Sequence, residues 1–124
     1  MRRAEYQTAY DLYTKLTAAY PAELEYRWWL AVTTMRLGVA QRTLGQGDAA
    51  RQYYQQALEI VQRLVMAEPD RADYQWDLVV SLLRMAAVEP EHSTEHRTRA
   101  LAMLRDLHAA DRLFPEQEQL MREL

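Results

Sequence analysis

The sequence predicts an all-α protein built as an array of antiparallel helix pairs, and three observations predict it. First, only three Gly and four Pro punctuate 124 residues. An all-β chain needs a turn signal every 8–12 residues or so, and here stretches of about twenty residues carry none. Second, apolar residues recur three and four positions apart, the period of a helix with one buried face. Third, the chain resembles itself. Ala9-Tyr10-Asp11-Leu12-Tyr13-Thr14-Lys15-Leu16, Ala57-Leu58-Glu59-Ile60-Val61-Gln62-Arg63-Leu64 and Ala100-Leu101-Ala102-Met103-Leu104-Arg105-Asp106-Leu107 share one pattern of small, apolar and polar positions. A second pattern follows proline: Pro21, Pro69 and Pro115 each precede large apolar residues by five and nine positions, namely Tyr26 and Leu30, Tyr74 and Leu78, Leu120 and Leu124. The prolines are 48 and 46 residues apart, and at the 48-residue offset Trp28 meets Trp76, Val32 meets Val80, Met35 meets Leu83 and Arg36 meets Arg84. Such a period marks a helical repeat.

The opening helix is expected over about 4–19, where Tyr6, Tyr10 and Tyr13 make a stripe at helical spacing. The next covers about 23–44, with Leu24, Trp28, Ala31, Val32, Met35 and Val39 on its apolar side and Arg27 and Thr34 opposite. Gly45-Gln46-Gly47-Asp48 breaks the chain, and Asp48 is the expected N-cap of a helix running to Ala67, where Pro69 stops it. A fourth helix is expected over 71–88, with Asp73 favouring the positive end of its dipole. A fifth is expected over 94–113 with Ser93 or Thr94 as its cap, and a short one over 116–124. The whole reads as one domain, 1–124, with repeat units of about 1–20 (partial), 21–68, 69–114 and 115–124 (partial).

Leu37-Gly38, followed by Ala50, Tyr54 and Ala57-Leu58, resembles the signature of the tetratricopeptide repeat. In that family small residues let paired helices approach, and an aromatic fills the gap between them. The period is longer than the family's usual length of about 34, which resembles the elongated repeats of large bacterial multidomain proteins. The last copy departs most, with Ser93 and Arg97 in place of Ala50 and Tyr54. The resemblance implies a right-handed α-α superhelix, a TPR-like solenoid of about five helices plus a short terminal helix. Its first helices would line a concave face that binds peptides or partner domains.

Charge and composition restrict the function classes. Fifteen basic residues stand against 18 acidic ones, a net charge of −3, so a nucleic-acid partner is not expected. Lys15 is the only lysine, an arginine bias that fits a GC-rich, bacterial genome. The absence of cysteine removes disulfides, thiolate metal sites and cysteine nucleophiles, and fits a cytoplasmic setting. Met1-Arg2-Arg3 leads into Ala4-Glu5-Tyr6-Gln7 rather than an apolar stretch, and no run of 18 apolar residues occurs, so neither a signal peptide nor a membrane partner is expected. His92-Ser93-Thr94-Glu95-His96 matches H-x-x-E-H, in which two histidines on one helical face bind zinc and the Glu is the base. Here the segment follows Glu89-Pro90-Glu91 at a helix start, so it reads as a polar linker, and His108 beside Arg105 and Arg112 reads as part of a solvated face. Gly45 and Gly47 lack the lysine of a phosphate loop, and Ser81 and Ser93 have no histidine at triad spacing. No cofactor, metal or catalytic activity is expected.

The remaining candidates are surfaces for binding. Arg36 and Arg84 recur at one repeat position, Arg42 lies on nearly the same side, and Val32, Met35, Val80 and Leu83 frame them. Together with Trp29, whose repeat counterpart is Asp77, they make a candidate groove for a peptide or partner protein, an acidic peptide being the concrete expectation because guanidinium suits bidentate carboxylate contacts. The blander reading pairs these arginines with neighbouring helices. Trp28 and Trp76 read as packing residues. Tyr6, Tyr10 and Tyr13 at one end and Leu120 and Leu124 at the other are the candidate association surfaces of open solenoid ends, as in a segment of a longer array. The alternatives to a scaffold are a sensor segment of a larger signalling enzyme and a self-association module forming homo-oligomers.

Overall fold

The computed structural model describes residues 2–124, and Met1, the first residue of the leading repeat unit, lies outside them. The described residues form six α-helices and no strand: α1 (Arg2–Ala19), α2 (Leu24–Thr43), α3 (Gly47–Ala67), α4 (Ala72–Val88), α5 (Ser93–Ala109) and α6 (Pro115–Glu123). Each helix packs on the next in the chain, from α1 on α2 through to α5 on α6. No helix is long and apolar enough to cross a membrane.

The helix ends are set by backbone more than by side-chain caps. After α2 the chain turns through Gly45 at φ 76°, where the Gln46 and Gly45 amides close on the Gln41 and Arg42 carbonyls at 2.8 and 3.0 Å. This is a Schellman turn, which wants a residue in the left-handed region. One non-helical residue later α3 begins at Gly47, with Gln46 at the cap position, so Asp48 is a first-turn residue rather than the predicted cap. The same turn ends α5 four residues before the predicted 113: Asp111 takes φ 56°, and Arg112 N bonds Leu107 O at 2.9 Å. Neither Ser93 nor Thr94 caps α5, because a single 3₁₀ turn, Pro90–His92, has already entered helical winding through His92 N and Glu89 O at 3.1 Å.

The core runs between the central helices. Ala31 of α2, Ala50, Tyr54, Leu58 and Val61 of α3, Leu78, Val79, Leu82 and Met85 of α4, and Ala100 and Leu104 of α5 form one buried cluster. At the crossing of α2 and α3, Gly38 faces the Tyr54 ring so closely that a Cβ there would sit 2.5 Å from Cε1. Both Tyr54 and Ala50 are fully buried. Thr34, expected on the polar side of α2, is also fully buried, with its hydroxyl donating to Leu30 O at 2.6 Å. The reason is that α2 has α1 on one side and α3 on another, so it has two packed faces and no single polar stripe.

Candidate functional site

A cleft runs between α2 and α4. Its walls come from residues at i, i+3, i+4 and i+7 spacing on each helix: Trp28, Ala31, Val32, Met35, Arg36 and Val39 from α2, and Asp77, Val80, Ser81 and Arg84 from α4. Val61 of α3 forms the floor, and the cavity holds about 240 Å³. At the Arg36 and Arg84 end it opens into a wider depression of about 650 Å³ shared with Arg3, Tyr6, Val39, Ala40, Thr43 and Leu44. A third hollow joins Arg84 and Val80 to Arg42, Leu83, Ala87 and Leu120.

The electrostatics of the cleft are uneven along its length. Among the described residues no carboxylate lies within 4.0 Å of Arg36, Arg42 or Arg84, so the ion pairs of the blander reading do not form. Arg36 instead lies over the Tyr6 ring, 5.7 Å from its centroid, a cation–π contact that orients the guanidinium without neutralising it. At the other end the Trp28 indole N–H donates to Asp77 Oδ2 at 2.7 Å. Burial pushes the Asp77 carboxyl above the usual carboxylate range, the Trp28 bond opposes the shift, and the charge of Asp73 adds to it. Next to this end, Arg71 is held by Asp73 through two bonds, Nε to Oδ1 at 3.1 Å and Nη2 to Oδ2 at 2.7 Å. That pairing holds the Asp73 carboxyl below its usual range.

The structure therefore brings together Val32, Met35, Arg36, Val80 and Arg84 of the predicted groove and places Arg42 and Leu83 in the adjoining hollow. Trp29 falls outside. It lies one position round the helix from Trp28, stacked on Tyr13 of α1 with centroids 6.1 Å apart and planes at 15°. The tyrosine stripe faces inward rather than forming an open end: Tyr6 meets Arg36, Tyr10 meets Tyr53 edge-on and bonds Gln56, and Tyr13 meets Trp29. Leu120 lines the hollow beside Arg84, and Leu124 sits with Leu83, Thr94 and Leu101, so the two leucines expected at the other end line different hollows. Trp28, Ala31, Val39, Val61, Asp77 and Ser81 line the cleft outside the predicted groove, and Arg3 joins it in the wider depression. Asp77 and Ser81 carried a usable signal, since they complete the i, i+3, i+4, i+7 stripe with Val80 and Arg84.

The H-x-x-E-H segment does not assemble a metal centre. No group of three or more His, Cys, Asp or Glu positioned for a metal occurs among the described residues. His96 turns away to Glu89, its Nε2 3.2 Å from Oε1, and both side chains are largely buried. This is a strut between the α4–α5 linker and α5, not the solvated linker expected. His108 does reach solvent, with Glu118 of α6 3.7 Å away. Compared with protein-family models, curated proteins and solved structures, the chain matches none.

Proposed function

We propose that this chain is a non-catalytic protein-interaction module, a TPR-like right-handed array of helix pairs working in the cytoplasm, that holds an acidic peptide segment in the cleft between α2 and α4. The observation that carries the reading is the pair Arg36 and Arg84, two guanidinium groups at one end of an apolar cleft with no acidic partner among the described residues. Unpaired arginine beside apolar surface favours a ligand that supplies carboxylate contacts together with side-chain burial. The cavity is smaller than the pockets of about 300–1,000 Å³ that enclose drug-sized ligands, and suits peptide side chains.

The repeat reading is supported by side chains as well as spacing. Thr33 and Ser81, 48 residues apart in the sequence, are both buried and each donates its hydroxyl to the carbonyl four residues back. Gly38 and Tyr54 meet as the small and aromatic partners of a close helix crossing.

The test is binding of labelled peptides rich in Glu and Leu, read by fluorescence anisotropy. Arg36→Ala with Arg84→Ala is expected to weaken binding by about 1–3 kcal/mol and to flatten its dependence on salt. Unchanged affinity in a double variant with native circular dichroism would sink the groove reading.

A further inference from the structure

Resting on that reading, we infer that the cleft takes a peptide of mixed charge, with an acidic side chain among Arg3, Arg36 and Arg84 and a Lys or Arg side chain on Asp77, three positions away. The two ends of the cleft carry opposite charge, and neither has an ion-pair partner among the described residues. Arg3, Arg36 and Arg84 share the wider depression, and no carboxylate lines it. Asp77 is the only acidic residue of the cleft lining, and no cation pairs with it among the described residues. Arg71, a cation whose charge bears on it, is already committed to Asp73.

The Asp77 carboxylate has one oxygen to spare. Oδ2 accepts the Trp28 indole, whereas Oδ1 has no hydrogen-bond partner among the described residues, and Asp77 lines the cleft. A carboxylate accepts on both oxygens, and half-burial has stripped it of part of its water. A donor cation restores what burial removed, and charge-assisted bonds of this kind are about twice as strong as neutral ones. An acidic ligand group at this end meets repulsion instead.

The spacing fixes the length of the motif. Asp77 and Arg84 are seven residues apart on α4, and Trp28 and Arg36 eight apart on α2, which at about 1.5 Å per residue separates the poles by about 10–12 Å. Between them lie Val32, Met35 and Val80. A peptide in the polyproline II conformation repeats its face every three residues, about 9 Å. Charged side chains at positions i and i+3 thus reach both poles from one face, with an apolar residue between them over the valines.

The experiment uses the full chain and three labelled decapeptides that differ only in a central tetrad: Lys-Leu-Pro-Glu, its reversal Glu-Pro-Leu-Lys, and Glu-Leu-Pro-Glu. Both mixed peptides are expected to bind about tenfold tighter than the doubly acidic one, each laying its Lys on Asp77. Asp77→Asn keeps an acceptor for the Trp28 indole and is expected to remove the preference for a mixed tetrad while improving the doubly acidic peptide. A doubly acidic peptide that binds as tightly as the mixed ones, or a preference untouched by Asp77→Asn, overturns the inference. If the doubly acidic peptide binds best and is lost in Arg36→Ala with Arg84→Ala, the groove stands and its acidic pole falls. If no peptide responds to the arginine variants, both fall together.

Discussion

The crossing of α2 and α3 depends on a missing side chain, and replacing Gly38 by alanine measures how much. In an open helix interior the substitution stabilises by about 1 kcal/mol through helix propensity. Here the added Cβ would lie 2.5 Å from Tyr54 Cε1, 2.6 Å from Cδ1 and 3.3 Å from Tyr53 Cβ. The Tyr54 ring has no exposed surface, so moving it away displaces other core side chains. Overpacking of a rigid core costs about 1–3 kcal/mol, and two sub-van der Waals contacts with a buried ring place this case at the upper end. The net expectation is a loss of about 2 kcal/mol, equivalent to about 8 °C in a domain of this size; Gly38→Leu is worse. Urea unfolding followed by circular dichroism reads the loss directly. A cycle isolates its cause: in a Tyr54→Phe background, which keeps the ring, the cost of Gly38→Ala persists, and in a Tyr54→Ala background it reverses to a gain of about 1 kcal/mol. Gly38→Ala as stable as the parent protein would refute the close approach.

Three further outcomes follow from particular residues. Gly45→Ala, forced to φ 76°, is expected to cost about 1–2 kcal/mol, whereas Gly47→Ala, in the first turn of α3 with nothing within 4 Å of its Cβ, stays neutral or gains up to about 1 kcal/mol; urea midpoints of the two variants decide. Burial raises the Asp77 carboxyl, so its protonated form favours the fold, and stability is full below the ordinary carboxylate range and declines as pH rises through the raised folded value. Asp77→Asn is therefore more stable than the parent at neutral pH, by less than about 1 kcal/mol after solvent screening, and the two converge in unfolding titrations as the pH is lowered. His96→Ala strands the largely buried Glu89 carboxylate and is expected to cost about 1–3 kcal/mol, while His92→Ala, half exposed, changes the melting temperature little.

Much of the fold was legible because helix and loop signals agree. Pro21, Pro69 and Pro115 and the Gly45-Gln46-Gly47 break mark where helices stop or start, and the boundaries of α1 to α4 fall within two residues of those expected. What failed was local and has a physical cause in each case. The end of α5 depends on Asp111 adopting a left-handed conformation, which aspartate permits but does not announce. The side-chain caps did not form because backbone turns satisfied the same amides first. Thr34 was placed outside because a threonine reads as polar, yet its hydroxyl spends its hydrogen bond on the carbonyl one turn back and leaves a methyl for the core.

The cleft was legible in stripes and illegible in pairs. Periodicity places Val32, Met35 and Arg36 on one line of α2 and Val80 and Arg84 on one line of α4, and these lines face each other in the structure. Choosing Trp29 over Trp28 was an error of one residue, which on a helix is a rotation of about 100°, enough to move an indole from the cleft to the α1 interface. Arg3 joins Arg36 and Arg84 from the stripe of Tyr6, Tyr10 and Tyr13, three residues before Tyr6, so its signal is present but reads as an end surface and not as part of the cleft. A sequence shows which residues share a helix face; which two faces meet depends on the crossing set at contacts such as Gly38 on Tyr54. The α4 line already carries both poles of the cleft, Asp77 and Arg84 seven residues apart; the packing adds Arg36 beside Arg84 at one end and lays the Trp28 indole on Asp77 at the other.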